Sequence, residues 1–158
     1  MDNLVDTLSK ALLKKELRLV TAESCTGGMI SMAITERAGS SAVFDRGFVT
    51  YSNTAKQDHL NVSPNILNHY GAVSMQCADA MALGALENSK ADIAVSVTGI
   101  AGPGGSDKKP IGLVYIGIAV TGREPQVTEC HFSGERSEVR KQACEKSLTL
   151  LIETTLTI

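Results

Sequence analysis

Near the start of the chain, a run of chemically capable side chains lies between two apolar segments. The run is residues 23–28, ESCTGG, with apolar residues 17–20 before it and 29–34 after it. This order predicts a turn from a strand into a helix, and glycine permits a sharp turn and the close approach of a ligand. The first N–H groups of a helix lack intrahelical partners and favour negative charge. The turn therefore combines candidate nucleophiles with a place for an anion, although a serine or threonine that only caps the helix is the alternative.

Ser24 needs a base, because a serine hydroxyl is a weak nucleophile until its proton is removed. Tyr51 ends the β-prone segment 48–51, and Lys56 follows on a short predicted helix. Burial can lower the pKa of a lysine toward neutrality, where its amine accepts a proton. Ser24, Tyr51 and Lys56 thus form a candidate set for hydrolysis of an acyl or amide bond. A solvated helix lysine and a tyrosine at a strand end are the alternatives.

Three other residues compete for roles in this chemistry. Cys25 adjoins Ser24 near a helix N-terminus, which lowers a thiol pKa, but free cysteines are more often buried and inert. A hydrolase based on Cys25 therefore ranks second. His59 lies near Lys56 and is more typical of a surface group, whereas Glu23 could act as a general base, accept a hydrogen bond from a ribose or pair with a buried cation.

A second glycine-rich segment is a candidate seat for a phosphate. Residues 99–107 contain four glycines and a proline and follow the apolar run 91–98. Backbone N–H groups in such a loop can hold a phosphate or an oxyanion, although the segment matches neither a P-loop nor GxGxxG. Thr98 is well placed for a ligand hydroxyl, and Arg46 and Arg140 are available cations. A surface loop and ordinary surface ion pairs are the alternatives.

Helices and strands alternate along the chain and must position these residues. Predicted helices cover 2–15, 28–37, 74–87 and 135–154, with short ones beginning at Ser52 or Asn53 and at Ser63. Predicted strands cover 17–22, 43–51, 91–98 and 111–121, the last paired with 126–132 as an antiparallel hairpin. We expect one domain over residues 1–158, a three-layer α/β/α sandwich with a mixed, mainly parallel sheet. If the first three strands are parallel, loops 23–28, 51–56 and 99–107 converge on one cleft.

The composition is typical of a soluble globular protein, with 158 residues and a net charge of −2. Scattered basic residues give no electrostatic footprint for nucleic acid. The sequence has neither a long apolar run nor a signal peptide, so we expect no membrane association and a cytoplasmic location. Four cysteines without a CxxC pair predict free thiols. Three histidines away from ligand spacing predict no metal site.

Four segments in order resemble the CinA C-terminal domain family across nearly the whole chain. They are residues 21–28 (TAESCTGG), 48–56 (FVTYSNTAK), 71–74 (GAVS) and 99–105 (GIAGPGG). Enzymatic members of this family are nicotinamide-nucleotide amidohydrolases, and some members carry an extra N-terminal domain. This chain begins directly with the deamidase-like domain, so it is similar to the stand-alone form.

The resemblance implies hydrolysis of the carboxamide of nicotinamide mononucleotide to nicotinate mononucleotide and ammonia, without a metal or other cofactor. The family's nucleophile falls on Ser24, its base on Lys56 and its tyrosine on Tyr51. Backbone amides near residues 26–28 are expected to bind the oxyanion, and the chain is expected to form a homo-oligomer, a dimer or higher. The residues expected to bind substrate are Glu23, Thr26, Gly27, Gly28, Ser41, Thr98, Gly99, Gly102, Gly104 and Arg140.

A protein of a different class is the alternative to this enzyme. It is a non-catalytic nucleotide-binding or competence-associated protein on the same fold, since the family includes members regarded as inactive. Retention of Ser24, Tyr51 and Lys56 favours the enzyme.

Overall fold

The computed structural model describes residues 1–105 and 108–158, which fold around one five-stranded sheet. The strands are β1 (Leu19–Glu23), β2 (Phe44–Val49), β3 (Ile93–Gly99), β4 (Leu113–Val120) and β5 (Gln126–His131). The helices are α1 (Asp2–Lys14), α2 (Met29–Thr35), α3 (Asn53–Leu60), α4 (Pro64–Tyr70), α5 (Met75–Glu87) and α6 (Arg136–Thr157). Among the described residues, no helix is both long enough and apolar enough to cross a bilayer.

The sheet is mixed, with the strand order β2-β1-β3-β4-β5. β1 pairs in parallel with β2 and β3, whereas β4 is antiparallel to both β3 and β5, so four strands share one direction. The predicted mixed, mainly parallel sheet is confirmed. Because β1, β2 and β3 are parallel, their carboxyl ends meet at one edge of the sheet. The condition on which the three predicted loops converge is therefore met.

Side chains alternate between the two faces of the sheet and build two cores, as the period of a strand requires. On one face, Leu19 and Val95 pack with α1, α2 and α6. On the other, Val20 and Ala94 pack with α3, α4 and α5. The predicted three-layer α/β/α arrangement is thus confirmed.

Glycine permits a close contact between the two helices on which the Lys56 side chain depends. Gly84 lies in α5, and a Cβ atom at this position would overlap the carbonyl oxygen of Leu60 at the end of α3. Only a residue without a side chain lets these helices approach so closely. α3 carries Lys56, so this contact holds the helix of the lysine against α5.

The predicted element bounds lie within three residues of the observed ones, and the largest difference is at the end of α6, predicted at 154 and observed at Thr157. The fourth predicted strand, 111–121, shortens to Leu113–Val120. Gly112 has φ 90°, which takes the backbone out of the extended conformation before β4 begins.

Candidate active site

The predicted strand-to-helix turn lies between β1 and α2, at the carboxyl edge of the sheet. The Ser24 N–H donates to the Val97 carbonyl at 2.9 Å, and the Gly27 N–H donates to the Ser24 carbonyl at 3.1 Å. Gly27 and Gly28 have φ 60° and 96°, in the left-handed region that glycine adopts readily. The turn is closed at both ends, and Ser24, at 9% exposed, is held at the sheet edge.

Lys56 lies beside Ser24. Its Nζ is 3.0 Å from Ser24 Oγ and 2.8 Å from the Thr50 carbonyl oxygen. α3 begins at a Ser52 cap, whose side chain accepts a hydrogen bond from the Ala55 N–H, and it packs against α5. As a result, the Lys56 side chain is only 1% exposed. The structure brings together the nucleophile and base candidates that the sequence indicates.

The surroundings of Lys56 favour the neutral amine. Burial lowers the pKa of Lys56 below the ordinary lysine value of 10.5. Cys25 and Cys77 are the nearby groups whose negative charge would oppose this shift. Burial raises the pKa of each thiol to about 11, so both are uncharged at neutral pH. A neutral amine at hydrogen-bond distance can accept the Ser24 proton.

The raised pKa of the Cys25 thiol also bears on whether Cys25, rather than Ser24, is the nucleophile. Cys25 lines the pocket next to Ser24. The thiolate is the reactive form of cysteine, and a pKa of about 11 leaves almost none of it at neutral pH. The structure therefore favours Ser24 over Cys25. His59 is exposed on α3, as the sequence predicts.

Tyr51 reaches the same pocket, but its hydroxyl contacts an arginine that the sequence analysis missed. Arg136 donates from Nη2 to Tyr51 Oη at 3.0 Å and from Nη1 to the Gly102 carbonyl at 2.6 Å. Tyr51 is 62% exposed and is not hydrogen-bonded to Lys56. One signal could have found Arg136. It is the first residue of α6, where the helix dipole disfavours a cation.

Two adjoining cavities form the cleft. Ser24 and Lys56 line a narrow pocket of about 240 Å³. It shares Arg136 and four other lining residues with a wider cleft of about 930 Å³. The wider cleft also carries Lys108 and Lys109, and its described lining contains no carboxylate. The cleft therefore joins a nucleophile–base pair to an electropositive space.

Several predicted substrate-binding residues line these cavities. Gly99, Gly102 and Gly104 lie along the wider cleft. Thr98 lines the narrow pocket, but its hydroxyl donates to the Ala72 carbonyl at 2.7 Å. The structure thus brings the glycine-rich loop next to Ser24. Ser106 and Asp107, which end this predicted loop, lie outside the described residues.

Glu23 lies behind the turn and lines neither cavity. Its buried carboxylate accepts hydrogen bonds from the N–H groups of Gly28, Ile30 and Ser31 and from the Ser31 hydroxyl, at 2.8 to 3.1 Å. The negative charge stabilises the N-terminus of α2 by opposing the positive end of its dipole. Glu23 is thus fully engaged within the fold, and the Gly28 amide, expected at the oxyanion, donates to it.

Arg140 contacts the turn from α6 and lines neither cavity. Its Nε donates to the Cys25 carbonyl at 3.0 Å and its Nη2 to the Thr26 carbonyl at 2.9 Å. Gly27 lies close to the guanidinium, since a Cβ on it would be 3.4 Å from Nη2. The structure does not bring Arg140 to the space expected for a phosphate.

Ser41 and Arg46 lie away from the cleft. Ser41 is exposed in the 3-10 turn Ser40–Ala42, which precedes β2. β1 and β2 are parallel and Ser24 follows the carboxyl end of β1, so Ser41 stands at the opposite edge of the sheet. Arg46 donates to the Asp45 carboxylate at 2.7 Å. The structure does not bring Ser41 together with Ser24, because α2 carries the chain from the carboxyl edge of the sheet back to the opposite edge.

Proteins with similar sequences carry two kinds of name. The nicotinamide-nucleotide amidohydrolase PncC of Enterobacter agglomerans is 54% identical over 142 residues, 89% of this chain and 87% of that protein. The protein of the same name from Escherichia coli K12 is 48% identical over 151 residues, 94% of this chain and 90% of that protein. A CinA-like protein of Syntrophobacter fumaroxidans is 48% identical over 145 residues, 91% of this chain. The chain spans only 34% of that longer relative.

Solved structures agree with the sequence comparison. The competence/damage inducible protein of Agrobacterium tumefaciens has a TM-score of 0.93 at 46% identity, over 96% of this chain and 93% of that chain. A CinA superfamily protein of Klebsiella pneumoniae has a TM-score of 0.96 at 35% identity, over 99% of this chain and 98% of that chain. The sequence model of the CinA C-terminal domain matches residues 1–155, which include the turn, Lys56 and nearly all of α6. This chain therefore belongs to the CinA C-terminal domain family.

Proposed function

We propose that this chain hydrolyses the carboxamide of nicotinamide mononucleotide to nicotinate mononucleotide and ammonia. The observation that carries the proposal is the 3.0 Å contact between Lys56 Nζ and Ser24 Oγ inside a buried pocket. The activity named for the PncC relatives, which match over most of their own length, supports this substrate.

Acylation begins when Ser24 Oγ attacks the amide carbon and the neutral Lys56 amine accepts the hydroxyl proton. The resulting tetrahedral intermediate carries a negative oxygen. As it collapses, the C–N bond breaks and the Lys56 ammonium returns a proton to the leaving nitrogen, which departs as ammonia. The nicotinoyl group remains as an ester on Ser24.

Deacylation repeats these steps with water in place of the serine hydroxyl. Lys56 takes a proton from water, and the hydroxide attacks the ester carbon. The C–O bond to Ser24 then breaks, Ser24 Oγ recovers a proton from Lys56, and nicotinate mononucleotide is released. Lys56 is neutral again at the end of the cycle.

Tyr51 acts at the rim of the narrow pocket. Arg136 donates to its oxygen, so the tyrosine O–H proton is free to point into the pocket. In the proposed reaction, Tyr51 gives a hydrogen bond to the departing nitrogen and assists its protonation.

The wider cleft holds the ribose phosphate in the proposal. Its volume of about 930 Å³ falls in the range of small-molecule sites, roughly 300–1,000 Å³. Lys108, Lys109 and Arg136 supply positive charge, and the loop with Gly102 and Gly104 supplies backbone close to the ligand. A phosphate is the anion that such a combination accepts.

The test is ammonia release from nicotinamide mononucleotide, nicotinamide riboside and nicotinamide. We expect turnover that is fastest with the phosphorylated substrate. Ser24→Ala should lower kcat by at least about 1,000-fold because it removes the nucleophile. Cys25→Ala, the matched neighbour, should retain most of the activity. Binding of the mononucleotide without turnover would favour the non-catalytic alternative, whereas loss of activity only in Cys25→Ala would make the thiol the nucleophile.

Two further parts of the proposal concern the setting of the enzyme. We expect a homo-oligomer, which light scattering of the purified protein would measure. We also expect the enzyme to act in the cytoplasm, where nucleotide recycling takes place.

A further inference from the structure

The turn that presents Ser24 engages most of its own N–H groups. The amides of Ser24, Gly27 and Gly28 all donate hydrogen bonds within the fold. The amides of Cys25 and Thr26 are different. Both residues are buried, yet neither N–H donates to an acceptor among the residues that the structure describes. A buried N–H without a partner is rare because it loses its hydrogen bond to water without replacement.

Two hydrogen bonds from Arg140 to carbonyls of the turn determine where the Thr26 N–H points. In a planar trans peptide, the C=O and the following N–H point in opposite directions. Arg140 binds the Cys25 carbonyl, so the Thr26 N–H of the same peptide points away from α6. Arg140 also binds the Thr26 carbonyl, which turns the Gly27 N–H away from α6 and onto the Ser24 carbonyl. Both N–H groups therefore point away from α6.

The positive charge of Arg140 also strengthens the turn as a hydrogen-bond donor. Arg140 is half-buried, and no described carboxylate lies within 4.0 Å of its guanidinium. A charged donor on a carbonyl oxygen polarises the peptide and strengthens the N–H at its other end. The N–H groups at the start of α2 are not available for an anion, because they donate to the Glu23 carboxylate.

We propose that Arg140 is a positioning residue for the hydrolysis. By binding the carbonyls of Cys25 and Thr26, it fixes the turn and polarises the Cys25–Thr26 peptide so that the unpaired amides of Thr26 and of Cys25, which lines the narrow pocket, bind the oxyanion formed when Ser24 adds to the substrate. This inference rests on the proposed function and replaces the expectation that Arg140 binds the phosphate.

Kinetics and product binding together distinguish a positioning role of Arg140 at the oxyanion from a role in binding the phosphate. Arg140→Ala should lower kcat for nicotinamide mononucleotide by about 100-fold, the effect of losing one oxyanion donor. KM should stay within threefold, and the Kd for nicotinate mononucleotide, which has the phosphate but no tetrahedral centre, should be unchanged. Guanidinium salts should restore part of the kcat. Lys141→Ala, which removes an exposed positive charge from the next residue of α6, is the control and should match the parent protein.

Other outcomes have distinct meanings. A tenfold weaker affinity for the product with unchanged kcat would make Arg140 a phosphate ligand and overturn the inference. A folded Arg140→Ala with normal kcat and KM would also overturn it. If Arg140→Ala does not fold, Arg140→Lys and Arg140→Gln serve instead, since each keeps fewer donors, and the same kcat loss at unchanged product Kd is expected. If the parent protein releases no ammonia, the proposed function fails first.

Discussion

In the proposed mechanism, Lys56 can accept the Ser24 proton only while its amine is neutral. Burial is the cause, because an ammonium in an apolar surrounding loses its hydration. No described carboxylate lies within salt-bridge distance of Lys56 to offset that loss. Lys56 is 1% exposed, so the burial that suits the lysine to its proposed role as base also makes its charge costly to the fold.

The pH dependence of the reaction follows from this state. We expect kcat/KM to rise with pH as Lys56 loses its proton, with an apparent pKa below the ordinary lysine value of 10.5. A pH–rate profile of ammonia release measures it. A rise centred near 10.5, or no rise at all, would contradict the assignment of Lys56 as the base.

Replacing Lys56 should raise stability while it removes activity. Its pKa is lowered in the folded protein, so the unfolded chain holds this proton more tightly than the folded one, and this difference disfavours folding at pH values below 10.5. Lys56→Met keeps the length of the apolar stem and removes the amine. We expect an inactive variant with a higher Tm than the parent at pH 7, and a smaller difference above pH 10.5.

Calorimetry or circular dichroism at several pH values measures this change. Lys10→Met, on the exposed side of α1, is the matched control and should leave Tm nearly unaltered. A lower Tm for Lys56→Met at pH 7 would show that the amine stabilises the fold through its two hydrogen bonds.

At the scale of elements, α6 reaches the site from two successive turns. Arg136 and Arg140 are four residues apart on one helix face. Arg136 contacts the rim of the cleft, whereas Arg140 contacts the back of the turn. On the proposed roles, one helix thus supplies one arginine for substrate binding and a second arginine for transition-state binding.

The two arginines should therefore give opposite kinetic effects. We expect Arg136→Ala to raise KM for nicotinamide mononucleotide by about 10-fold or more, the value of one charge-assisted hydrogen bond to a phosphate. The change in KM should exceed the change in kcat, in contrast to Arg140→Ala. Steady-state kinetics of both variants measures this. A KM effect that is equally large for nicotinamide riboside would place Arg136 away from the phosphate.

At the scale of the whole molecule, the sequence predicts the layers, the parallel strands and the meeting of Ser24 with Lys56. The layers and the parallel strands follow from local patterns, since apolar runs indicate the strands and glycines indicate the turns, whereas the pairing of Ser24 with Lys56 rests mainly on the family resemblance. The roles of Glu23 and Arg140 do not follow from such patterns. The sequence shows that Glu23 adjoins the turn and that Arg140 lies in the last predicted helix. The direction from which each side chain contacts the turn depends on how α2 and α6 pack against the sheet. The sequence shows Arg136 as a cation at the start of a predicted helix, but only the packing of α6 brings it near Tyr51.

The position of α6 in the chain has a consequence for when the enzyme becomes competent. Ser24 and Lys56 lie in the first half of the sequence, and both arginines lie in the element that follows all five strands. During synthesis, the hydroxyl and the amine leave the ribosome well before the guanidinium groups do. A growing chain thus contains the proposed nucleophile and base before either of the arginines that, as we propose, hold the phosphate and prepare the oxyanion site. On these proposed roles, the site is complete only when α6 has docked on the sheet.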